Sequence, residues 1–359
     1  MENEIGIIYS QKKIDNIPYE ILKKGLFWLK PNIIKTKGLS QNEDLDLVWQ
    51  DDGKYVAQRI SFDDVKKIAQ NMGGKLLEKY NNLFKLKADY ENLPMSHMKI
   101  MGILNLTPDS FSDGGDFILE KNALEHAHKM RDCGADIIDI GGESTKPNAN
   151  YVDDLEESNR ILKIIKKLSY DNFLISADTR KPSVMTQAID NGARIINDIS
   201  GMSDPLTPKI ISKSGASIVI MHIKGSPKTM QINPKYKCAP IEIYNFLEKK
   251  IEFALSEGIK LNRIAIDPGF GFGKSPLHNM QIMAWLPMFQ SLGVPVLLGV
   301  SRKSSIAALS KNETPKERLA GSIALLCYAN LFGTQIIRVH DVMETSQAIN
   351  ICSNVNRQI

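Results

Sequence analysis

Asp178, Asn197, Asp267, Lys303, Arg338 and His340 each stand at the C-terminal end of a short apolar run or just beyond one. Burying an ionisable group is costly unless it is paired or binds something, so a set of them at equivalent positions points to a ligand. The residue types narrow that ligand. Lys303, Arg338 and His340 bring cationic donors for a phosphate or diphosphate. The carboxylates Asp178 and Asp267, with the amide of Asn197, suit a flat nitrogen heterocycle that presents several N–H groups and acceptors. Ser301 and Ser304 flank an expected helix start, whose free N–H groups and the Ser304 hydroxyl suit a small carboxylate. A polyanionic leaving group, a planar heterocycle and a small carboxylate together describe group transfer with departure of diphosphate.

The elements that position these residues alternate strictly. Runs rich in β-branched residues lie at 99–107, 136–143, 174–179, 195–200, 217–222, 264–268, 294–301 and 335–340. Helical patterns separate them, such as 121–133, 154–168, 182–191, 241–257 and 315–331. Eight strand–helix units over about 260 residues match a (β/α)8 TIM barrel, in which the strand C-terminal ends build the site. A doubly wound open sheet shares the alternation, and the count of eight favours the barrel. Gly134, Gly192, Gly215 and Gly333 recur where a helix closes and the next strand opens, a place for left-handed backbone. Residues 1–94 read as a small α+β module of unknown role, with strand-like Ile5–Tyr9 and Tyr55–Ile60 and a helix capped by Ser61 and ended at Gly73-Gly74. Leu93-Pro94 is the expected linker, leaving 95–359 as the barrel.

Composition excludes several classes. Among 359 residues the net charge is only +4 and no basic block stands out, so nucleic acid is not an expected partner. Apolar runs such as Val294–Val300 are far shorter than the roughly 20 residues of a membrane span. Cys133, Cys238, Cys327 and Cys352 are scattered, which fits neither a disulfide framework nor a zinc site and suits the cytoplasm. Gly269–Ser275 contains Gly-Lys-Ser, but Pro268 occupies the position where a P-loop needs glycine. Those glycines instead allow close backbone approach to a ligand, with Phe270 or Phe272 packed on its ring. His126 and His128, two apart on a helix, face different ways and cannot share a metal.

The motifs, taken together, resemble a known family. Met101–Gly115, Asp139–Thr145, Asp267–Lys274, Ser301–Ser304 and Arg338–Asp341 are similar, in order, to the signatures of dihydropteroate synthase, over residues 98 to 353. The resemblance implies that Asp178, Asn197, Asp267 and Lys303 bind a pterin in a pocket lined by Met221 and Phe272, with Arg338 at its edge. It implies a diphosphate held by Asn105, Thr145, Arg338 and His340, with Asn105 ligating Mg²⁺. It places p-aminobenzoate near Phe111, Lys146, Pro147 and Ser304, on loops Thr107–Gly115 and Ser144–Pro147. Asp178, Lys303, Arg338 and His340 are the catalytic set it implies, in a homodimer. One departure stands out: Lys146 replaces the family's usual arginine, which keeps the charge and loses the bidentate fork. A pterin-binding methyltransferase and a catalytically silent pterin-binding homologue are the rival readings.

Overall fold

The computed structural model describes residues 7–9, 27–31, 44–51, 53–107, 116–144 and 151–356. Eight parallel strands form the barrel: β5 (Lys99–Asn105), β6 (Ile137–Gly141), β7 (Ile175–Asp178), β8 (Ile195–Asp198), β9 (Ser217–Met221), β10 (Ile264–Asp267), β11 (Leu297–Leu298) and β12 (Ile336–Val339). Neighbours follow chain order from β5 to β10, and β12 lies between β5 and β11. One bridge, Ile266 to Val296, closes β10 onto β11. The seventh strand is shorter than the 294–301 run suggests because Pro295 has no N–H for the ladder and contributes only its carbonyl, to Ile266 N at 2.9 Å. All four inter-unit glycines have positive φ, from 77° at Gly333 to 108° at Gly192, as the helix-closing role requires.

Period-2 alternation decides what fills the barrel. Met101, Ile137, Ile195, Val219, Ala265, Leu297 and Ile336 point inward and form one apolar layer, closed from below by Tyr90 and Met95. Two residues further along five of these strands, the inward positions are Asp139, Asn197, Met221, Asp267 and Arg338. The apolar floor therefore carries a mostly polar layer directly above it.

The N-terminal residues form a four-stranded sheet of order β1-β4-β3-β2, from Ile7–Tyr9, Phe27–Pro31, Asp44–Asp51 and Lys54–Ser61. The strands Phe27–Pro31 and Asp44–Asp51 and the helix Gly74–Phe84 add to the elements read from sequence. Ser61 caps the helix Phe62–Met72 as expected, its side chain accepting from Asp64 N at 3.2 Å. One sheet face, including Phe27, Leu29, Leu45 and Leu47, packs on the module's own helices. The other face, with Ile7, Trp28, Val48 and Ala57, joins the barrel's outer core. Trp28 Nε1 donates to Asn245 Oδ1 at 2.8 Å, and buried Lys79 pairs with Glu248 at 2.9 Å. Among the described residues no helix is long and apolar enough to cross a membrane.

Candidate active site

Five strand-end residues converge on the barrel axis. Arg338, from β12, is the hub. Its Nε donates to Asp139 Oδ2 and its Nη2 to Asp178 Oδ2, both at 2.6 Å. Asn197 Nδ2 donates to the same Asp139 oxygen at 3.1 Å. Asp267 Oδ1 accepts from Gly269 N at 2.6 Å. Lys303 sits at the N-cap of the helix Ser304–Ala308, its ammonium 4.1 Å from the centre of the Phe272 ring. Met221 is buried at the end of β9.

Burial sets the electrostatics. Desolvation pushes the Asp178 carboxyl up to about 7; Arg338 opposes the rise, and the charges of Asp139, Glu157 and Glu143 add to it. Asp267 is also raised by desolvation, against the Gly269 hydrogen bond and the charges of Lys303, Lys274 and Arg338. Desolvation lowers Lys303 to about 8, with Asp267 opposing the fall, so the ammonium form still dominates at neutral pH. For Arg338, desolvation works against the charge, but Asp139 and Asp178 outweigh it and the guanidinium stays ionised. Arg338 is held between two carboxylates, the condition under which burial of its charge is tolerated.

His340 departs from expectation. Desolvation, then Arg338 and Arg302, holds its imidazole down to about 3, so it is a neutral hydrogen-bonding group and brings no cation. Its Nδ1 lies 3.0 Å from Ser301 Oγ. The glycine-rich loop departs as well. A Cβ at Gly269 would lie 1.9 Å from His222 O, and one at Gly273 2.3 Å from Lys224 O. Those glycines let the chain approach itself, and Phe270 is buried in the core. Phe272 and Gly271 are the loop residues beside Lys303, the latter close to its side chain.

Ser304 is exposed and lines a 380 Å³ cleft with Gly271, Lys274, Ser305, Gln231 and Asn233. The helix it opens has five residues, so its N-terminal field is weak and the hydroxyl is the main donor. Asn105 ends β5; its Oδ1 and Asp178 Oδ2 lie 3.7 and 3.5 Å from the point a Cβ would occupy at Gly141. Phe111, Thr145, Lys146 and Pro147 lie outside the described residues, as does most of the two loops that carry them.

Sequence reading overlooked several supports. Asp139, fully buried, is the common acceptor of Arg338 and Asn197. Its signal was an acidic residue inside the buried run Ile137–Gly141. Lys274 Nζ is buried against His222 Nδ1 at 2.9 Å and Phe272 O at 2.9 Å, and so fixes the loop that presents Phe272. Arg302, in left-handed backbone at φ 58°, forks onto Asp341 and ties the seventh loop to the eighth strand. A non-glycine residue in that region is strained and persists where its surroundings impose it.

A (β/α)8 barrel with this polar layer is the architecture of the pterin-binding enzymes, and the chain belongs to that family, matching the description "Pterin binding enzyme" over residues 101–340. It is 42% identical over 268 residues to the dihydropteroate synthase of Escherichia coli K12, covering 74% of this chain and 95% of that enzyme. The Yersinia pestis dihydropteroate synthase, solved as a sulfonamide drug complex, superposes with TM-score 0.71 at 40% identity, over 76% of this chain and all of that one. The Xanthomonas albilineans enzyme with 4-aminobenzoic acid gives TM-score 0.71 at 40% identity, over 75% and 98% of the two chains. Within its family the chain therefore groups with the dihydropteroate synthases, which are transferases.

Proposed function

We propose that the chain condenses 6-hydroxymethyl-7,8-dihydropterin diphosphate with p-aminobenzoate, giving 7,8-dihydropteroate and diphosphate. The observation that carries this reading is the Asp139–Arg338–Asp178 bridge, ringed by Asn197, Asp267 and Lys303 above a sealed apolar floor. Carboxylates and an amide around an axis accept from and donate to the edge of a pterin, while Met221 and Phe272 supply apolar wall. Asp178, Asn197, Asp267 and Lys303 bind the ring. Arg338 flanks it; its Nη1 has no protein partner among the described residues and is available to the diphosphate. Asn105, Thr145 and His340 complete the diphosphate site, and Phe111, Lys146, Pro147 and Ser304 the p-aminobenzoate site.

The substitution is dissociative in this reading. The bond from the pterin methylene carbon to the bridging diphosphate oxygen breaks, and its electron pair leaves with the diphosphate. The cation left on the pterin is stabilised by Asp178, whose ionised form lies beside the ring. The aniline nitrogen then donates its lone pair to the methylene carbon, and its excess proton passes to solvent or to the departing anion. Among the described residues no cluster of three or more His, Cys, Asp or Glu could hold a metal on its own. Magnesium nevertheless fits, because it keeps water and phosphate oxygens and needs few protein ligands. The Asn105 oxygen beside the space that Gly141 leaves open would be its ligand. When bound it supplies neutralisation of the diphosphate charge.

Mixing the purified protein with the pterin diphosphate, Mg²⁺ and p-aminobenzoate tests the reading. Diphosphate release equal to dihydropteroate formed is expected; a methyltransferase or a silent homologue releases none. With p-aminobenzoate withheld in H₂¹⁸O, the isotope is expected in the hydroxymethyl oxygen, since water then captures the cation at carbon. Isotope in phosphate alone would refute carbon–oxygen cleavage.

A homodimer accompanies this reading. The helix Leu319–Leu331 has no charged residue and leaves Tyr328 and Leu331 exposed, next to a last helix exposing Met343, Ile351 and Val355. An apolar face of that kind suits a second copy of the chain. Sedimentation velocity giving a monomer at micromolar concentration would remove it.

A further inference from the structure

Asp139 is fully buried, and no reading of strand ends selects it, because it lies two residues before the end of β6. One of its oxygens, Oδ2, accepts from both Arg338 Nε and Asn197 Nδ2. The other, Oδ1, is buried and has no hydrogen-bond partner among the described residues. A buried carboxylate oxygen without a partner is expensive, and a fold that keeps one does so for a reason. The apolar layer directly beneath could accommodate an apolar residue at this position, as Ile103 does in register beside it on β5. Stability alone therefore does not explain an acid here; burying an ion pair is often no better than burying matched apolar groups.

The geometry explains it. Arg338 carries two anchors at right positions for a planar fork: Asp139 through Nε and Asp178 through Nη2. With Asp178 alone, the guanidinium could rotate about that single contact. With both, its plane is fixed, and Nη1 points where neither carboxylate takes it. Asn197 is fixed in the same way, since giving one amide hydrogen to Asp139 decides which end of the amide faces the ring site. We propose that Asp139 is the positioning residue of this site. Resting on the pterin-binding reading above, it orients Arg338 and Asn197 for the ring without touching the ring itself.

Calorimetric binding of 6-hydroxymethylpterin to four forms of the full chain tests this: wild type, Asp139→Asn, Arg338→Met and the double variant. Asp139→Asn keeps the shape and removes the charge that holds Arg338. We expect affinity to fall roughly ten- to a hundredfold, the range seen when an outer partner that orients a metal ligand is lost. In the Arg338→Met background the same change is expected to cost less than threefold, because the residue it acts through is gone. Melting supplies the second readout. Arg338→Met leaves Asp139 as a buried charge without its cation, and adding Asp139→Asn is expected to raise the melting temperature back. This comparison holds even if Asp139→Asn alone does not fold. Equal, additive losses in the two backgrounds, or affinity within twofold of wild type in Asp139→Asn, would overturn the proposal. If wild type itself fails to bind the pterin, the pterin-binding reading falls first, and the melting comparison still reports on the Asp139–Arg338 coupling.

Discussion

Asp178 should make the protein less stable at the pH where it makes it active. Its carboxyl is raised from 3.8 to about 7, chiefly by desolvation. A group whose folded pKa exceeds its unfolded value contributes stability that is complete below the unfolded value and is lost as pH rises through the folded one. For Asp178 that window runs from 3.8 to about 7. Some three pH units at about 1.4 kcal/mol each give about 4 kcal/mol lost between the two limits, with Arg338's attraction already counted. Asn has nearly the shape of the protonated acid and carries no charge, so Asp178→Asn should escape this loss. The variant is expected to be more stable than wild type at pH 8. Its advantage should shrink by about 3 kcal/mol by pH 5, because two of the three units lie between pH 5 and pH 7. For a chain of this size about 1 kcal/mol moves a melting temperature by about 2–4 °C, so scanning calorimetry resolves the change. Turnover of the variant should be nearly abolished throughout, since the neutral amide cannot offset charge on the pterin. A variant less stable than wild type at pH 8, or an advantage that does not change from pH 5 to pH 8, would refute this account of Asp178.

Asn105→Ala is expected to remove most turnover while 6-hydroxymethylpterin still binds; wild-type rates in limiting Mg²⁺ would exclude Asn105 as the metal's ligand. Lys146→Ala should lose about 1.5–3 kcal/mol of transition-state stabilisation, the range for a charged hydrogen bond, and Lys146→Arg little or nothing. Catalytic efficiency within a factor of two in Lys146→Ala would make it an ordinary surface lysine. A chain beginning at residue 95 keeps all eight strands and should retain barrel circular dichroism. It should melt lower than the full chain, because it lacks buried Tyr90 in the floor and uncovers Trp285 and Phe289; an equal melting temperature would show that the N-terminal residues add nothing to the barrel.

The barrel was legible because its signal is local and repeated. Each apolar run is short, each ends in a polar residue, and a glycine opens several of them, so eight weak signals reinforce one another. The N-terminal sheet was less legible for the opposite reason. Asp44–Asp51 is apolar on both faces at Leu45, Leu47, Val48 and Trp49, since one face meets its own helices and the other meets the barrel. Leu45, Leu47 and Trp49 do alternate, but Val48 on the second face blurs the period-2 signal over so short a run. Charge states were also invisible: the sequence shows a histidine at 340, and only its burial beside Arg338 and Arg302 makes it neutral.

The rule that strand ends carry the chemistry found Asp178, Asn197, Asp267 and Arg338, yet it stops at the surface of the site. A polar side chain at the mouth must be aimed, and the group that aims it lies one layer deeper, where sequence reading expects packing. Asp139 is such a group. Its neighbours in sequence, Ile138 and Ile140, face the outer core, while its neighbours in space are Arg338 and Asn197. An acid in the interior of a buried strand run is thus informative in its own right. It breaks the apolar pattern at a desolvation penalty of several kcal/mol, which only a cation brought from elsewhere in the fold can offset. Reading Asp139 in this way requires a partner on another strand, and β12, which pairs with β5 on the side away from β6, carries an arginine at the matching depth, two residues beyond inward Ile336.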